Sequence, residues 1–405
     1  MSETVRDLNQ HFMDLWRECD RGLPGLGQLY SAPDKDRNED QLVRFLDMVE
    51  QHLSNPPRSR GEVQALQEHL SPVLRQIVAA VLGVEAGQLD LLPSKEFSRV
   101  SEEFARRARA FDPGLSAQDI YQAGRNAWTA NGLQWLLGLP VQMTPALLAY
   151  SLLYPYSDNY LDDPGIDASH KRAFNERFRR RLEGDLLTAE NSHEQLIFDL
   201  VTMIESQYAR TRYPGVFESL LAIHQAQGKS LALLHHSATP GEVDVLGLSF
   251  EKGGTSVLAD GCLVSPSIDE AQRRYAYGHG IFAQLLDDLE DIEQDGQAGR
   301  LTIYSQSAGI KPLDALANRT FHFGRKVLDG MDCFEVDESV REMIRRAADL
   351  FLVDAVGRMD RYYTEAYLAE IEAHSPFRFS FLKEQREKFL SRHGSILSWM
   401  EAAIF

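Results

Sequence analysis

Only three of the 405 residues are cysteines, and Cys19, Cys262 and Cys333 are widely separated. That scarcity, with an odd number, argues against a disulfide framework or a cysteine-rich zinc site and fits a reducing compartment. Long apolar runs are also missing. No stretch approaches the roughly eighteen uninterrupted apolar residues of a membrane span. The opening MSETVRDLNQHFMDLWRE lacks a basic segment followed by an apolar one, so no signal peptide is read there and the expected setting is the cytoplasm. Basic charge is the scarcer sign: 42 Lys and Arg stand against 60 Asp and Glu, a net charge of −18. An acidic surface repels phosphate backbones and anionic lipids, which disfavours nucleic-acid or membrane-surface binding as the main role. Strand-like alternation is nearly absent, since Phe377-Arg-Phe-Ser-Phe381 is short and isolated.

Helical periodicity fills the space these absences leave. Gln41–Leu53, Glu62–Leu82, Val216–Gln227, Leu313–Leu328 and Val340–Ala373 carry apolar residues at three- and four-residue spacing with charges between them. Breaks fall at Gly22–Gly27, Asn55-Pro-Pro-Arg, Asp112-Pro-Gly, Pro164-Gly, Pro240-Gly and Ser375-Pro. They are punctuation and not linkers, and there is no internal repeat or low-complexity tract. The expectation is one all-α domain over residues 1–405, with the part up to about residue 110 more loosely organised.

Several short motifs lack their context. Gly228-Lys-Ser230 resembles the end of a phosphate-binding loop, but Ile223 stands where that loop needs glycine, and the flank reads as helix. Gly22-Leu-Pro-Gly-Leu-Gly27 has no βαβ surroundings. His235 and His236 are adjacent and point apart on a helix, so they form no two-histidine metal face. Arg179–Arg181 reads as a solvated face.

IFAQLLDDLEDIEQD, residues 281–295, places four aspartates and two glutamates in its last nine positions. At about 100° per residue, Asp287, Asp288, Asp291 and Asp295 share one arc of about 100°, with Gln284 and Gly280 on the same arc. Glu290 and Glu293 fall on the other side. The leucines spread around the helix, as in a largely buried one. Like charges at i,i+4 cost an exposed helix roughly 0.2–0.5 kcal/mol per pair, and far more when buried unless a cation is bound. A hard divalent cation suits such oxygen ligands. A second cluster, Tyr154-Pro-Tyr-Ser-Asp-Asn-Tyr-Leu-Asp-Asp-Pro164, ends an apolar run and sets Asp158 and Asp162 on one helical face. Carboxylates are disfavoured at a helix C-terminus, and a cation would reverse that sign. Asp163 and Asp167 read as an ordinary acidic turn. Between the clusters lies Phe250-Glu-Lys-Gly-Gly-Thr-Ser-Val-Leu-Ala-Asp-Gly261. Lys252 is a mobile point charge suited to phosphate, and the glycines would let backbone N–H groups come close; the plainer reading is a helix break with a surface lysine. Gly296–Thr302 reads as a flexible loop whose Arg300 could cover a site.

Together these stretches resemble the isoprenoid synthase superfamily. FAQLLDDLED is similar to the second aspartate-rich motif of trans-prenyl diphosphate synthases, with Ala283 separating Phe282 from Gln284. KGGTSVLADG resembles their lysine segment, and DNYLDD holds the order and place of their first motif. The nearest resemblance is to bacterial large terpene synthases of the tetraprenyl-β-curcumene synthase type, over about residues 125–310. Asn159 after Asp158 departs from the paired aspartates of chain-elongating enzymes. No Asp-x-Asp-Asp motif for protonation-initiated cyclisation is present.

The resemblance implies an antiparallel helical bundle around a central cavity. Asp158 and Asp162 would be Mg²⁺ ligands on one wall, and Asp287 and Asp291 ligands on the facing wall. Asp288 and Asp295 would ligate through water or from behind, and the site would hold several ions. Lys252 would hold the substrate diphosphate, with Arg300 and the pair Arg361-Tyr362 as further candidates. The implied function is a class I terpene synthase acting on a linear prenyl diphosphate, with Tyr154, Tyr156 or Trp135 facing the carbocation. A prenyltransferase joining isoprenoid units and a non-catalytic divalent-cation-binding protein are the alternatives. A homodimer is left open.

Overall fold

The structure, a computed structural model, describes residues 2–53, 60–163, 165–234 and 243–393; within them some residues, Tyr154 and Asp162 among them, are described in their backbone only. Asn55–Arg58, His235-His236, Pro164 and Pro240-Gly241, read above as breaks or as a histidine pair, lie outside the described residues. Among the described residues there are helices and no strand. Phe377–Phe381, which alternates in sequence, runs instead into the start of a helix. Among the described residues no helix is long and apolar enough to cross a membrane.

In chain order the helices are α1 (Ser2–Glu18), α2 (Ala32–Leu53), α3 (Arg60–Leu82), α4 (Ser94–Phe111) and α5 (Ala117–Leu136). Then come α6 (Pro145–Asp162), α7 (Ala168–Glu183), α8 (Ser192–Gln207), α9 (Pro214–Ser230) and α10 (Val245–Val264). The remainder are α11 (Glu270–Glu290), α12 (Ile292–Ala298), α13 (Asp314–Asp329), α14 (Glu338–Arg358), α15 (Glu365–Glu372) and α16 (Phe379–His393). The periodic stretch Val340–Ala373 is interrupted by a 3₁₀ turn at Asp360–Tyr362, after which Thr364 caps α15.

The chain divides into two compact units. One comprises Met1–Asp20, Lys95–Ile310 and His322–Glu335; the other comprises Arg21–Ser94, Lys311–Phe321 and Val336–Phe405. The first 110 residues are therefore shared between the units: α1 and α4 belong to the first, α2 and α3 to the second.

In the first unit α10 is buried on nearly every side, from Phe250 through Thr255, Leu258 and Ala259 to Leu263. An apolar helix without a polar face is a central helix. Asp244 starts it by accepting a hydrogen bond from Gly247 N. α11 begins with a capping box between Asp269 and Gln272. The two helices touch through glycine. A Cβ on Gly280 would lie 2.1 Å from Gly253 O, and one on Gly253 would lie 2.6 Å from Gly280 O and 2.7 Å from Gln284 Cβ. Gly254 leaves room for the Tyr277 ring, which a Cβ would meet at 2.4 Å. α1 covers this pair with Val5, Leu8, Phe12 and Trp16, spaced for one helical face. Phe12 stacks on Tyr277 with centroids 5.9 Å apart, and Trp16 meets Phe250 edge-on at 6.0 Å. Phe323 contacts Phe12, Trp16 and Phe250 at 6.1, 5.6 and 5.6 Å.

The second unit is stitched by polar groups reaching backbone carbonyls and by ion pairs. Tyr30 donates to Val81 O at 3.0 Å, Asn38 to Pro376 O at 3.1 Å, and Arg378 bridges Glu39 and Asp36 at 2.6 Å each.

The glycine contact is testable. Gly280→Ala should lower stability by about 1–3 kcal/mol in urea denaturation, the cost of overpacking. Gly296→Ala, where nothing lies within 4 Å of the added atom, should raise it by up to about 1 kcal/mol through helix propensity. Equal effects at the two positions would mean that α10 and α11 are not held at glycine distance.

Candidate active site

The lysine segment is neither a loop nor a helix break. Lys252 to Asp260 lie within α10, and Gly253 and Gly254 are buried. Their backbone groups sit inside a regular helix, so they are not offered to a phosphate. The glycines instead admit α11, and the expectation of N–H groups approaching a ligand is corrected on that ground. Lys252 is not a surface lysine either. Its side chain is 19% exposed, and Nζ donates to Asp158 Oδ2 at 3.1 Å, with Asp158 8% exposed near the end of α6. The structure thus brings together two of the predicted residues lying 94 positions apart.

The acidic arc sits where α11 meets α12. Asp291 leaves the helical region (φ −103°, ψ 16°) and ends α11. Hydrogen bonds from Asp291 N to Asp287 O (2.9 Å) and from Asp295 N to Asp291 O (2.8 Å) carry the turn across the junction. The environments of the four carboxyls differ sharply. Asp287 is part-exposed and accepts from Arg125 Nη2 of α5 at 2.7 Å. Asp288 is buried. Its Oδ1 accepts from Gln284 Nε2 at 2.7 Å, while Oδ2 meets no hydrogen-bond partner among the described residues. Burial pushes the Asp288 carboxyl up to about 8, against the opposing Gln284 bond; Asp287 and Asp295 add to the rise, and Lys252 lowers it. Burial likewise raises Asp295 to about 6, with Arg300 and Lys252 opposing and Asp291 and Asp287 reinforcing. Asp291 is raised by burial and by Asp287 and Glu290, while Arg125 and Arg300 pull it down. Lys252 is therefore felt by Asp288 and Asp295 on one side while it bonds Asp158 on the other.

The side chain of Asp162 lies outside the described residues. Asp163 accepts from Gly165 N at 2.8 Å and Asp167 caps α7 through Ser169 N at 2.7 Å, so both belong to the turn. Gly296 to Ala298 are the end of α12, and Gly299 terminates it with a left-handed conformation (φ 66°). The loop read as flexible is pinned by Leu301 N to Leu233 O at 2.8 Å, and Arg300 Nε lies 3.7 Å from Asp295 Oδ1. Arg361 and Tyr362 belong to the second unit, where Arg361 Nη2 donates to Tyr362 Oη at 2.7 Å and lies over its ring. Tyr156 is buried with its hydroxyl on Asp112 at 2.5 Å, and Trp135 packs against the core. The solvated reading of Arg179–Arg181 holds for two of the three. Arg179 and Arg180 pair with Glu176, Glu183 and Asp185 on the surface. Arg181 is 6% exposed and pairs with Glu205 at 2.5 Å, because α7 turns that position onto α8.

A cavity of about 80 Å³ adjoins Lys252 and Gln284. Its walls come from α5, α6, α7, α9, α10 and α11, and are mostly apolar through Leu153, Phe178, Leu182, Leu220 and Ile223. Sites for drug-sized ligands usually measure about 300–1,000 Å³. A buried polar group flanks it: Asn126 Nδ2 donates to Asp260 Oδ1 at 3.0 Å and to Ser151 Oγ at 3.2 Å. Asp260 is wholly buried, and burial holds its carboxyl well above the usual range.

No protein-family model, curated protein or solved structure matches the chain. The site therefore has to be judged on its own chemistry. Its donors are carboxylate oxygens, suited to a hard cation that takes one or two carboxylates and completes its shell with water and phosphate oxygens. Among the described residues no three His, Cys, Asp or Glu side chains are gathered as a ready-made cage. The unpartnered buried Oδ2 of Asp288 is the feature that fits a cation, since a protonated or uncompensated carboxyl there is costly.

Sequence reading missed Arg125, Asn126, Asp260 and His224. The lone Asp260 in the apolar run Val257–Val264 signalled a buried acid. Nothing in the sequence ties Arg125 to Asp287, 162 positions away.

Asp288 sets a pH dependence. Its folded pKa, about 8, lies above the unfolded value of about 3.9. Its contribution to stability is complete below about pH 4 and is lost as pH rises through 8. Asp288→Asn should stabilise the protein in chelator, by a few kcal/mol at pH 8 and much less at pH 5. Urea titrations at both pH values measure this; a gain that does not grow with pH removes burial as the cause.

Proposed function

We propose that the chain is a class I terpene synthase that ionises a linear prenyl diphosphate with the help of Mg²⁺. The observation that supports it most is the position of Lys252, bonded to Asp158 of α6 and felt by Asp288 and Asp295 of α11 and α12. A site for cations alone has no use for a lysine between its carboxylates. A diphosphate has: its oxygens offer Lys252 a more highly charged partner than one carboxylate.

Asp158, Asp162, Asp287 and Asp291 would hold the ions, with Asp288 and Asp295 behind them. Bound Mg²⁺ would supply the positive charge that holds a diphosphate between acidic walls and stabilises it as it leaves. The residues do the rest. Lys252 releases Asp158 and turns to the diphosphate. Asp288, raised by burial to about 8, would give up its proton where positive charge is bound, and Asp295, raised to about 6, is largely ionised already at neutral pH. Arg125, now on Asp287, and Arg300, near Asp295, lie within reach of the same carboxyls. The apolar wall of Leu153, Phe178, Leu182, Leu220 and Ile223 keeps water from the tail. At about 80 Å³ the cavity must widen by side-chain repacking to admit that tail.

Incubation with Mg²⁺ and prenyl diphosphates of increasing length, with and without isopentenyl diphosphate, tests this. Hydrocarbon or alcohol products with released diphosphate are expected. Longer diphosphates formed only with isopentenyl diphosphate would make the protein a prenyltransferase, and no turnover would favour a cation-binding protein. Lys252→Ala, Asp162→Ala and Asp287→Ala should each cut turnover by roughly 10²–10³-fold, as loss of a charge-stabilising group does, with the helical circular dichroism signal retained. Full activity in any of them removes that residue from the site.

A further inference from the structure

His224 has no part in the chemistry described so far, yet it lines the same cavity as Lys252. Leu220, Ile223, His224 and Gln227 sit on one face of α9 and all four line that space. The imidazole is 4% exposed and meets Phe178 edge-on with centroids 5.1 Å apart.

Its hydrogen bonding fixes its protonation. Nε2 lies 3.0 Å from Asn175 O of α7. A carbonyl oxygen only accepts, so Nε2 carries the hydrogen. In a neutral imidazole the other nitrogen then holds a lone pair. Nδ1 is buried and meets no hydrogen-bond partner among the described residues. The ring is held neutral: burial lowers its pKa to about 4, opposed by the Asn175 bond, while Arg179 lowers it further and Glu176 raises it. A buried acceptor without a partner is costly, and packing on Phe178 does not require one. The residue lines the apolar part of a cavity whose polar side carries Lys252 and Gln284.

We propose that His224 is the base that ends the reaction, its Nδ1 accepting the proton lost by the tail carbocation. This role rests on the class I reading above. A C–H bond on the carbon next to the cationic centre breaks, and its electron pair becomes the new C=C bond. The proton joins Nδ1, so the positive charge passes from carbon to imidazolium without change in total. Allylic and tertiary carbocations are far stronger acids than imidazolium, so a weakly basic imidazole suffices. The imidazolium, unstable in its apolar surroundings, hands the proton to the departing diphosphate and returns to the neutral form.

The experiment compares the wild-type protein with His224→Gln and His224→Phe in Mg²⁺ and prenyl diphosphate, measuring hydrocarbon, alcohol and diphosphate separately. Gln keeps a donor for Asn175 O, and Phe keeps a ring on Phe178. The ratio of hydrocarbon to released diphosphate should fall roughly tenfold or more in both variants, with alcohol from water capture taking its place. An unchanged ratio overturns the role and leaves the proposed reaction standing. Absence of diphosphate release by the wild-type protein with every chain length removes the reaction, and the role with it. Independently of turnover, ¹⁵N-histidine NMR, assigned with His224→Gln, should show a neutral ring protonated on Nε2 at pH 7. The opposite tautomer, or an imidazolium, also overturns the proposal.

Discussion

The approach of α10 to α11 at glycine distance is the constraint on which the site depends. Gly253 and Gly280 let two backbones touch, and the residues beside them inherit their positions. Lys252 precedes Gly253. Gln284, which bonds Asp288, follows Gly280 by one turn. A larger residue at either glycine would separate the helices and move the lysine away from the buried aspartates. Two mid-helix glycines cost about 1 kcal/mol each in helix propensity. The fold tolerates this because α10 is central, with its stability coming from burial on every side and from the aromatic cover of Phe12, Trp16 and Phe323.

The second constraint is electrostatic. Asp288 and Asp295 are buried next to two further carboxyls; Asp287 raises the pKa of both, Asp295 that of Asp288, and Asp291 that of Asp295. Protein interiors rarely keep such an arrangement without a counter-charge. The cations present, Lys252, Arg125 and Arg300, stand at its margins, each already engaged with a carboxyl. The result is a site whose acidity is moderated but not cancelled.

Much of this was legible from the chain. The all-α class followed from periodicity, and the shared arc of Asp287, Asp288, Asp291 and Asp295 followed from helix geometry. The arc persists because hydrogen bonds run across the break at Asp291. The role of the glycines was not legible. Gly-Gly after a lysine reads alike whether it frees backbone for a ligand or admits a neighbouring helix, and only the partner at Gly280 decides. Arg181 was misjudged for a similar reason, since its run of three arginines hides that one faces α8. The pairing of Asp158 with Lys252 and that of Arg125 with Asp287 are long-range contacts, which local patterns do not encode. His224 looked unremarkable because its tautomer depends on a carbonyl of another helix.

The aromatic cover also bears on how the chain is made. Phe12 and Trp16 rest on Phe323, which lies about three hundred positions further along. A ribosome releases the first helix long before its neighbours exist, and a nascent chain tends to fold its earliest segments first. Here α1 has an apolar face with nothing to rest on until α10, α11 and Phe323 have emerged. Closing so long a loop is slow compared with forming local helices. The seat of α1 is therefore complete only once the chain has been made as far as Phe323.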